Sequence, residues 1–161
     1  MKKYIKEIVF LFIVITISLN VISYYKALDL NKEKLFFNSL TLINGENFTL
    51  KKDKPLLIYF WATWCPICKI ESPNIQRLSK EYEVLTIAVN SGTNQNIKAY
   101  IEKNNYTFKV YNDTNEILNR KLNIKAYPTT LIYDKNKNLF FSDVGYTSTI
   151  GLKLRMFLAS F

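Results

Sequence analysis

Apolar residues in this chain fall into short runs separated by polar turns, and the rhythm alternates buried strands with amphipathic helices. Leu56–Trp61 is an unbroken apolar run and Val84–Val89 nearly so, as expected for strands covered on both faces. Between them Ile70, Ile75, Leu78 and Tyr82 carry helix-like spacing through Ile67–Tyr82. Further along, the pattern predicts a helix over Asn96–Lys103 capped by Thr93 or Asn94, and a strand at Phe108–Tyr111. A second short helix, Asn115–Leu122, would be capped by Asp113 or Thr114. Strands at Thr129–Tyr133 and Leu139–Ser142 flank the polar loop Lys135–Asn138, and a closing helix covers Thr149–Ala159. Upstream, Leu35–Phe37 and Phe48–Leu50 flank Ile43-Asn44-Gly45-Glu46, which reads as a hairpin around an Asn-Gly turn.

Strands alternating with helices and ending in a hairpin imply an α/β sandwich with a mixed sheet, in which helices that follow strands serve as crossovers. The chain shows no internal repeat and no low-complexity tract. With 161 residues it has the length of one compact domain with its own core.

The first 25 residues follow a different pattern. Eighteen uncharged residues, Ile8–Tyr25, come after Lys2, Lys3 and Lys6, close to the roughly 20 residues that cross a bilayer as a helix. The basic flank places the N-terminus in the cytoplasm and everything after Lys26 outside, with Tyr24 and Tyr25 at the position of an interfacial aromatic anchor. A cleaved signal has the same charged start and apolar middle, and Val21-Ile22-Ser23 offers a small residue before a cut. Both readings export the rest of the chain. The expected organisation is an anchor or uncleaved signal over 1–25, a polar linker over 26–34 and a folded domain over 35–161.

Composition narrows the chemistry. There is no histidine, which excludes Ser-His and Cys-His hydrolases, His-ligated metal sites and imidazole proton transfer. The formal charge is +9, from 22 basic and 13 acidic residues. The first 25 residues take three of the former and one of the latter, leaving +7 spread over Lys26, Lys32, Lys51, Lys98, Lys125 and Lys153 among others. Scattered lysines describe a solvated basic surface, and no nucleic-acid partner is expected.

The two cysteines, Cys65 and Cys68, are too close in sequence to staple distant elements. They stand at a strand-to-helix junction, with Cys65 at the N-cap and Pro66 at the first helical position, where its missing N–H costs nothing. Free amides and the positive helix end favour a thiolate on Cys65, the species that attacks a disulfide. Cys68, one turn further in, is the candidate resolving thiol. A pair of structural core cysteines, half of a zinc site and a Cu(I)-carrying pair are the competing readings. Zinc normally needs a second such pair or histidines. In an oxidising compartment the pair forms a disulfide unless something reduces it.

The stretch Phe60-Trp61-Ala62-Thr63-Trp64-Cys65-Pro66-Ile67-Cys68-Lys69 resembles the active-site segment of the thioredoxin superfamily. Three more positions match: Pro73 inside the active-site helix, Tyr127-Pro128-Thr129-Thr130 as a cis-proline loop before a strand, and Gly145 after the last hairpin. The hairpin ahead of the first core strand and the WATWC motif are similar to the membrane-anchored, extracytoplasmic TlpA/ResA-like branch, and Thr93–Asp113 would supply that branch's extra helix and strand. The tail Gly145–Arg155 resembles the ScsD-type protein disulfide oxidoreductases linked to copper tolerance. The resemblance covers about Leu35–Ala159. It implies a three-layer α/β/α thioredoxin-like sandwich with a mixed sheet, an N-terminal β-hairpin and a central αβ insertion, preceded by one transmembrane helix.

The resemblance also implies roles. Cys65 would be the nucleophile and Cys68 the resolving thiol, their disulfide being the redox centre with no metal or other cofactor. Tyr127 and Pro128 would offer backbone to an extended substrate, alongside Trp64, Pro66 and Ile67, while Trp61 packs in the core. Thioredoxins keep a buried acid on the strand before the motif, and Tyr59 stands there in this chain. Glu71, one turn after Cys68, matches a glutamate of the ResA-like branch and could accept the Cys68 proton, the alternative being an exposed helical Glu. The implied partners are protein thiols and disulfides, a transmembrane electron donor and, through residues 8–25, the bacterial inner membrane, with the domain facing the periplasm. Proline after the first cysteine resembles the oxidising DsbA motif, but Ile67 supplies none of its histidine's stabilisation, so a potential between the thioredoxin and DsbA extremes of about −270 and −120 mV is expected, and the branch resemblance implies a reductant or isomerase-like partner. A dithiol oxidase and a Cu(I) module are the alternatives. Sco-type copper proteins use a wider cysteine spacing and a histidine that this chain lacks.

Overall fold

A computed structural model describes residues 2–28, 30 and 34–161, the side chains of 2, 3, 16, 19, 20 and 22–28 excepted. Seven strands and five helices appear in chain order among them. Helix α1 (Lys2–Leu28) leads to the hairpin β1 (Ser39–Thr41) and β2 (Asn47–Thr49), then to β3 (Leu56–Trp61), α2 (Pro66–Leu78) and β4 (Val84–Val89). Helix α3 (Asn94–Lys103), β5 (Lys109–Asp113) and α4 (Ile117–Lys121) follow. The chain closes with β6 (Thr129–Tyr133), β7 (Leu139–Val144) and α5 (Thr149–Leu158).

Five strands form one mixed sheet in the order β5-β4-β3-β6-β7. β3, β4 and β5 run parallel, Leu57 opposite Val84 and Leu85 opposite Lys109, while β6 is antiparallel to β3 and β7 to β6. The six residues of the central strand β3 are all buried, and their alternation builds two cores. Leu57, Tyr59 and Trp61 face Ile75 and Leu78 of α2, Ile97 of α3, and Leu152 and Met156 of α5. Leu56, Ile58 and Phe60 face Leu118 on α4 and Phe48 on the hairpin. The parallel crossovers β3-α2-β4 and β4-α3-β5 step in one direction along the sheet, so the right-handed rule puts both helices on one face. The expected α/β/α sandwich, with its extra helix and strand in α3 and β5, is the fold observed.

Four expectations need correction. The hairpin pairs 39–41 with 47–49, Ser39 opposite Thr49, and not Leu35–Phe37 with Phe48–Leu50. Strands must adjoin the turn that joins them, and this turn closes where Leu42 donates to Glu46 O. Leu35 crosses instead to Lys137 O. Helix α2 ends at Leu78, four residues before the expected Tyr82, and Ile70 is exposed because the buried stripe runs through Cys68, Glu71, Ser72, Ile75 and Leu78. Helix α4 is shorter than Asn115–Leu122. Asp113 still satisfies its start, since its carboxylate accepts from the amides of Ile117 and Asn119, both at 2.8 Å. Thr93 caps α3 through a reciprocal pair with Asn96, which starts that helix at Asn94.

The apolar segment expected to span a bilayer lies in α1, where the described side chains from Tyr4 to Ile15, with Ile17 and Val21, are exposed. Among the described residues no helix is long and apolar enough to cross a membrane. The side chains of Tyr24 and Tyr25, and linker residues 29 and 31–33, lie outside the described residues.

Candidate functional site

The site forms where β3 ends and α2 begins. Cys65 takes the N-cap with extended backbone (φ −80°, ψ 114°), Pro66 follows inside the helix, and the Cys65 Sγ accepts from the Cys68 N–H at 3.2 Å. This bond satisfies one of the helix's free donors with sulfur. Cys65 and Cys68 are joined as a disulfide. Both are buried, Cys65 retaining 4% of its surface and Cys68 none. The amide expected from Ile67 forms no such bond; the Cys68 amide alone points at the sulfur.

Glu71 is fully buried, which removes the exposed-helix alternative. Its Oε1 accepts the Thr147 backbone N–H at 2.9 Å, while its Oε2 has no hydrogen-bond partner among the described residues. Burial pushes its carboxyl up to about 8, against the lowering effect of the Thr147 amide. Asp143 raises it further, while a side-chain hydrogen bond from Tyr59 and then the charge of Arg155 lower it. Asp143 and Arg155 pair with each other at 3.4 Å, and Thr147 Oγ1 donates to Asp143 Oδ2 at 3.0 Å. On β3, Tyr59 is fully buried and its hydroxyl reaches the Cys68 carbonyl at 3.5 Å; burial first and Glu71 second raise its proton affinity.

Around the disulfide, Trp64, Pro66 and Ile67 are exposed, Trp64 by 57% and Ile67 by 46%. Trp64 is not loose, because its Nε1 donates to Asn90 O at 2.9 Å and its ring meets the Tyr127 ring edge-on at 6.0 Å. Trp61, by contrast, has no exposed surface and packs against Tyr100 and Phe108. The Tyr127–Pro128 peptide is cis, as expected, and the Tyr127 hydroxyl donates to Asn119 Oδ1 at 2.7 Å. Cys65, Cys68, Glu71, Trp64, Pro66 and Ile67 therefore gather at one end of β3 and α2, with Tyr127 beside Trp64.

Sequence reading missed the residues that hold this arrangement from a distance. Asn74 donates to Thr147 O at 3.1 Å and to the Tyr146 hydroxyl at 3.3 Å, and accepts from Thr149 Oγ1 at 2.9 Å, tying α2 to the turn before α5. Ser91 accepts the Thr63 amide at 3.0 Å, steadying the segment ahead of Cys65. Only the polar residue types gave a signal, since the partners lie 28 residues away for Ser91 and 72 to 75 for Asn74. Among the described residues no group of three His, Cys, Asp or Glu side chains comes together.

Comparison with known proteins agrees with this geometry. Residues 32–141 match the AhpC/TSA family. A thioredoxin-like protein of Haemophilus influenzae is 33% identical, the match covering 99% of this chain and 97% of that one. Sporulation thiol-disulfide oxidoreductase A of Bacillus subtilis is 28% identical over 69% of this chain and 72% of its own length. The crystal structure of StoA from Bacillus subtilis superposes with a TM-score of 0.69 at 22% identity, covering 78% of this chain and 98% of that one, which shows a shared fold. The chain belongs to the AhpC/TSA family, within the thioredoxin superfamily that its motif resembles.

Proposed function

We propose that this AhpC/TSA-family chain is a membrane-tethered reductant of protein disulfides that works outside the cytoplasm. The chain is a thiol–disulfide oxidoreductase of the thioredoxin family carrying a Cys65–Cys68 pair. The observation that supports the assignment of the two thiols is their unequal setting, Cys65 at a helix N-terminus under the Cys68 amide and Cys68 fully buried one turn before a buried carboxyl.

In the reduced protein the Cys65 thiolate attacks one sulfur of a substrate disulfide, forming a mixed disulfide and releasing the other sulfur as a thiolate that takes a proton from water. The Cys68 thiol then gives its proton to the Glu71 carboxylate and attacks the Cys65 sulfur. That closes the Cys65–Cys68 disulfide and releases the second substrate thiol. Two electrons pass to the substrate, and a dithiol donor must return them. Trp64, Pro66 and Ile67, which are exposed, with half-buried Tyr127 ahead of the buried Pro128, make the surface on which an extended substrate segment rests, main-chain pairing giving affinity with little sequence demand.

The uncharged run Ile8–Tyr25 within the continuous helix α1, behind Lys2, Lys3 and Lys6, supports a single-pass anchor in the bacterial inner membrane with the domain in the periplasm. A tether would raise the effective concentration of a donor held in the same membrane. The Cys65–Cys68 reduction potential, measured by equilibration with glutathione, tests the direction of flow. A reductant lies nearer the thioredoxin value of about −270 mV, and a value near the DsbA value of about −120 mV would make the chain an oxidase.

A further inference from the structure

Beside Cys68 and Glu71 stands a third buried polar group that the mechanism above leaves idle, the Tyr59 hydroxyl. Tyr59 lies in the middle of β3 and turns toward the core under α2, with no exposed surface. Its hydroxyl stands 3.5 Å from the Cys68 carbonyl, which already accepts the Ser72 hydroxyl at 2.7 Å, and it is close enough to Glu71 for a side-chain hydrogen bond between the two to shift the proton affinity of each. Glu71 has the complementary deficit. Its Oε1 is held by the Thr147 amide, while its Oε2 is enclosed and has no hydrogen-bond partner among the described residues. A weakly held donor and an unpartnered acceptor thus sit in electrostatic contact within one dry core, where an ionised carboxylate gains most from a new hydrogen bond.

We propose that Tyr59 is a positioning residue: its hydroxyl moves from the Cys68 carbonyl to Glu71 Oε2 when the carboxyl is ionised, and holds Glu71 as the base that takes the Cys68 proton. This rests on the reading of Glu71 as that base. On transfer, the proton leaves Cys68 Sγ for the Glu71 carboxylate, the carboxyl becomes neutral, and Tyr59 returns to the Cys68 carbonyl. The other groups facing Glu71 are fixed in place. They are the Thr147 amide from the turn before α5, Asp143 from β7 and Arg155 from α5, the last two paired with each other. Tyr59, from β3, has the loosest bond of the set.

The test uses the full chain, reduced and mixed with a protein disulfide, with the decay of the acid-quenched mixed disulfide followed from about pH 5 to about pH 10. Tyr59→Phe is expected to move the rise in resolution rate upward by about one pH unit, so that resolution is about tenfold slower below the inflection and unchanged on the alkaline plateau. Fluorotyrosine placed at position 59 keeps the shape and strengthens the donor, and should move the rise downward. Glu71→Gln should remove the rise that follows Glu71 and leave only a later rise as the Cys68 thiol itself ionises, and adding Tyr59→Phe to it should change nothing more. An unshifted Tyr59→Phe profile, or equal slowing at every pH, would overturn the proposal. If Tyr59→Phe fails to fold, a fluorotyrosine profile that does not move overturns it. A Glu71→Gln variant that keeps the wild-type profile would instead remove Glu71 as the base, an outcome distinct from a displaced Glu71→Gln profile beside an unshifted Tyr59→Phe.

Discussion

Thr147 donates its backbone N–H to Glu71 Oε1 across 2.9 Å, joining the active-site helix to the turn before α5, 76 residues away. This bond fixes a buried carboxyl one helical turn from Cys68 and leaves its second oxygen open. The same turn is held by Asn74 and, through the Thr147 hydroxyl, by Asp143, which pairs with Arg155, so the C-terminal part of the chain sets the surroundings of Glu71 and Cys68.

Burying Glu71 has a cost that depends on pH. Its carboxyl ionises near 4.5 when exposed and near 8 in the folded chain, so the folded state binds the proton more tightly. Stability is therefore full below about pH 4.5 and falls as pH rises toward about 8. Glu71→Gln should remove this dependence and be the more stable form above pH 8, by on the order of a few kcal/mol, in urea unfolding across pH. A wild-type slope that survives in Glu71→Gln would show that another group carries it.

Asn74→Ala breaks hydrogen bonds to Tyr146, Thr147 and Thr149 in a buried position. We expect a loss of about 1–3 kcal/mol in denaturant unfolding. Resolution should also slow, because the turn carrying the Thr147 amide is released from α2. A variant that loses stability and keeps wild-type resolution would separate the turn from the chemistry.

The two tryptophans of the motif should respond in opposite ways. Trp61→Ala empties a fully buried site and should cost about 3–5 kcal/mol of stability. Trp64→Ala removes an exposed ring held by one hydrogen bond and one edge contact, so stability should change by less than about 1 kcal/mol. Its effect should appear as a several-fold rise in KM for a protein disulfide in steady-state assays.

Much of this arrangement was legible in the residue pattern, and what was not has common causes. The strands β3, β4 and β6 appear at their expected positions because each is buried on both faces and reads as an apolar run. Cys65, Pro66 and Cys68 announce the site because N-cap chemistry is local. Ile70 misled because an exposed apolar side chain keeps helical spacing without facing the core. Leu35–Phe37 misled because an apolar triplet near a turn looks like a strand even when the turn closes several residues later. Thr147 and Asn74 left no trace, since their partners are fixed by tertiary packing across the domain.

The anchor reading predicts that the full chain stays with the bilayer after an alkaline carbonate wash. Val14→Arg, a charge in the middle of the apolar run, should release it, since an arginine at a bilayer centre costs about 3 kcal/mol on insertion scales. A chain released by the wash without substitution would leave the domain untethered.

The central claim is that Cys65 is the nucleophile of a thiol–disulfide exchange, and dithiothreitol-driven reduction of insulin by the full chain tests it most directly. The wild type should precipitate insulin well above the uncatalysed rate, Cys65→Ser should fall to that rate, and Cys68→Ser should accumulate a mixed disulfide through Cys65. Catalysis that persists in Cys65→Ser, or a mixed disulfide that forms through Cys68 instead, would contradict the account.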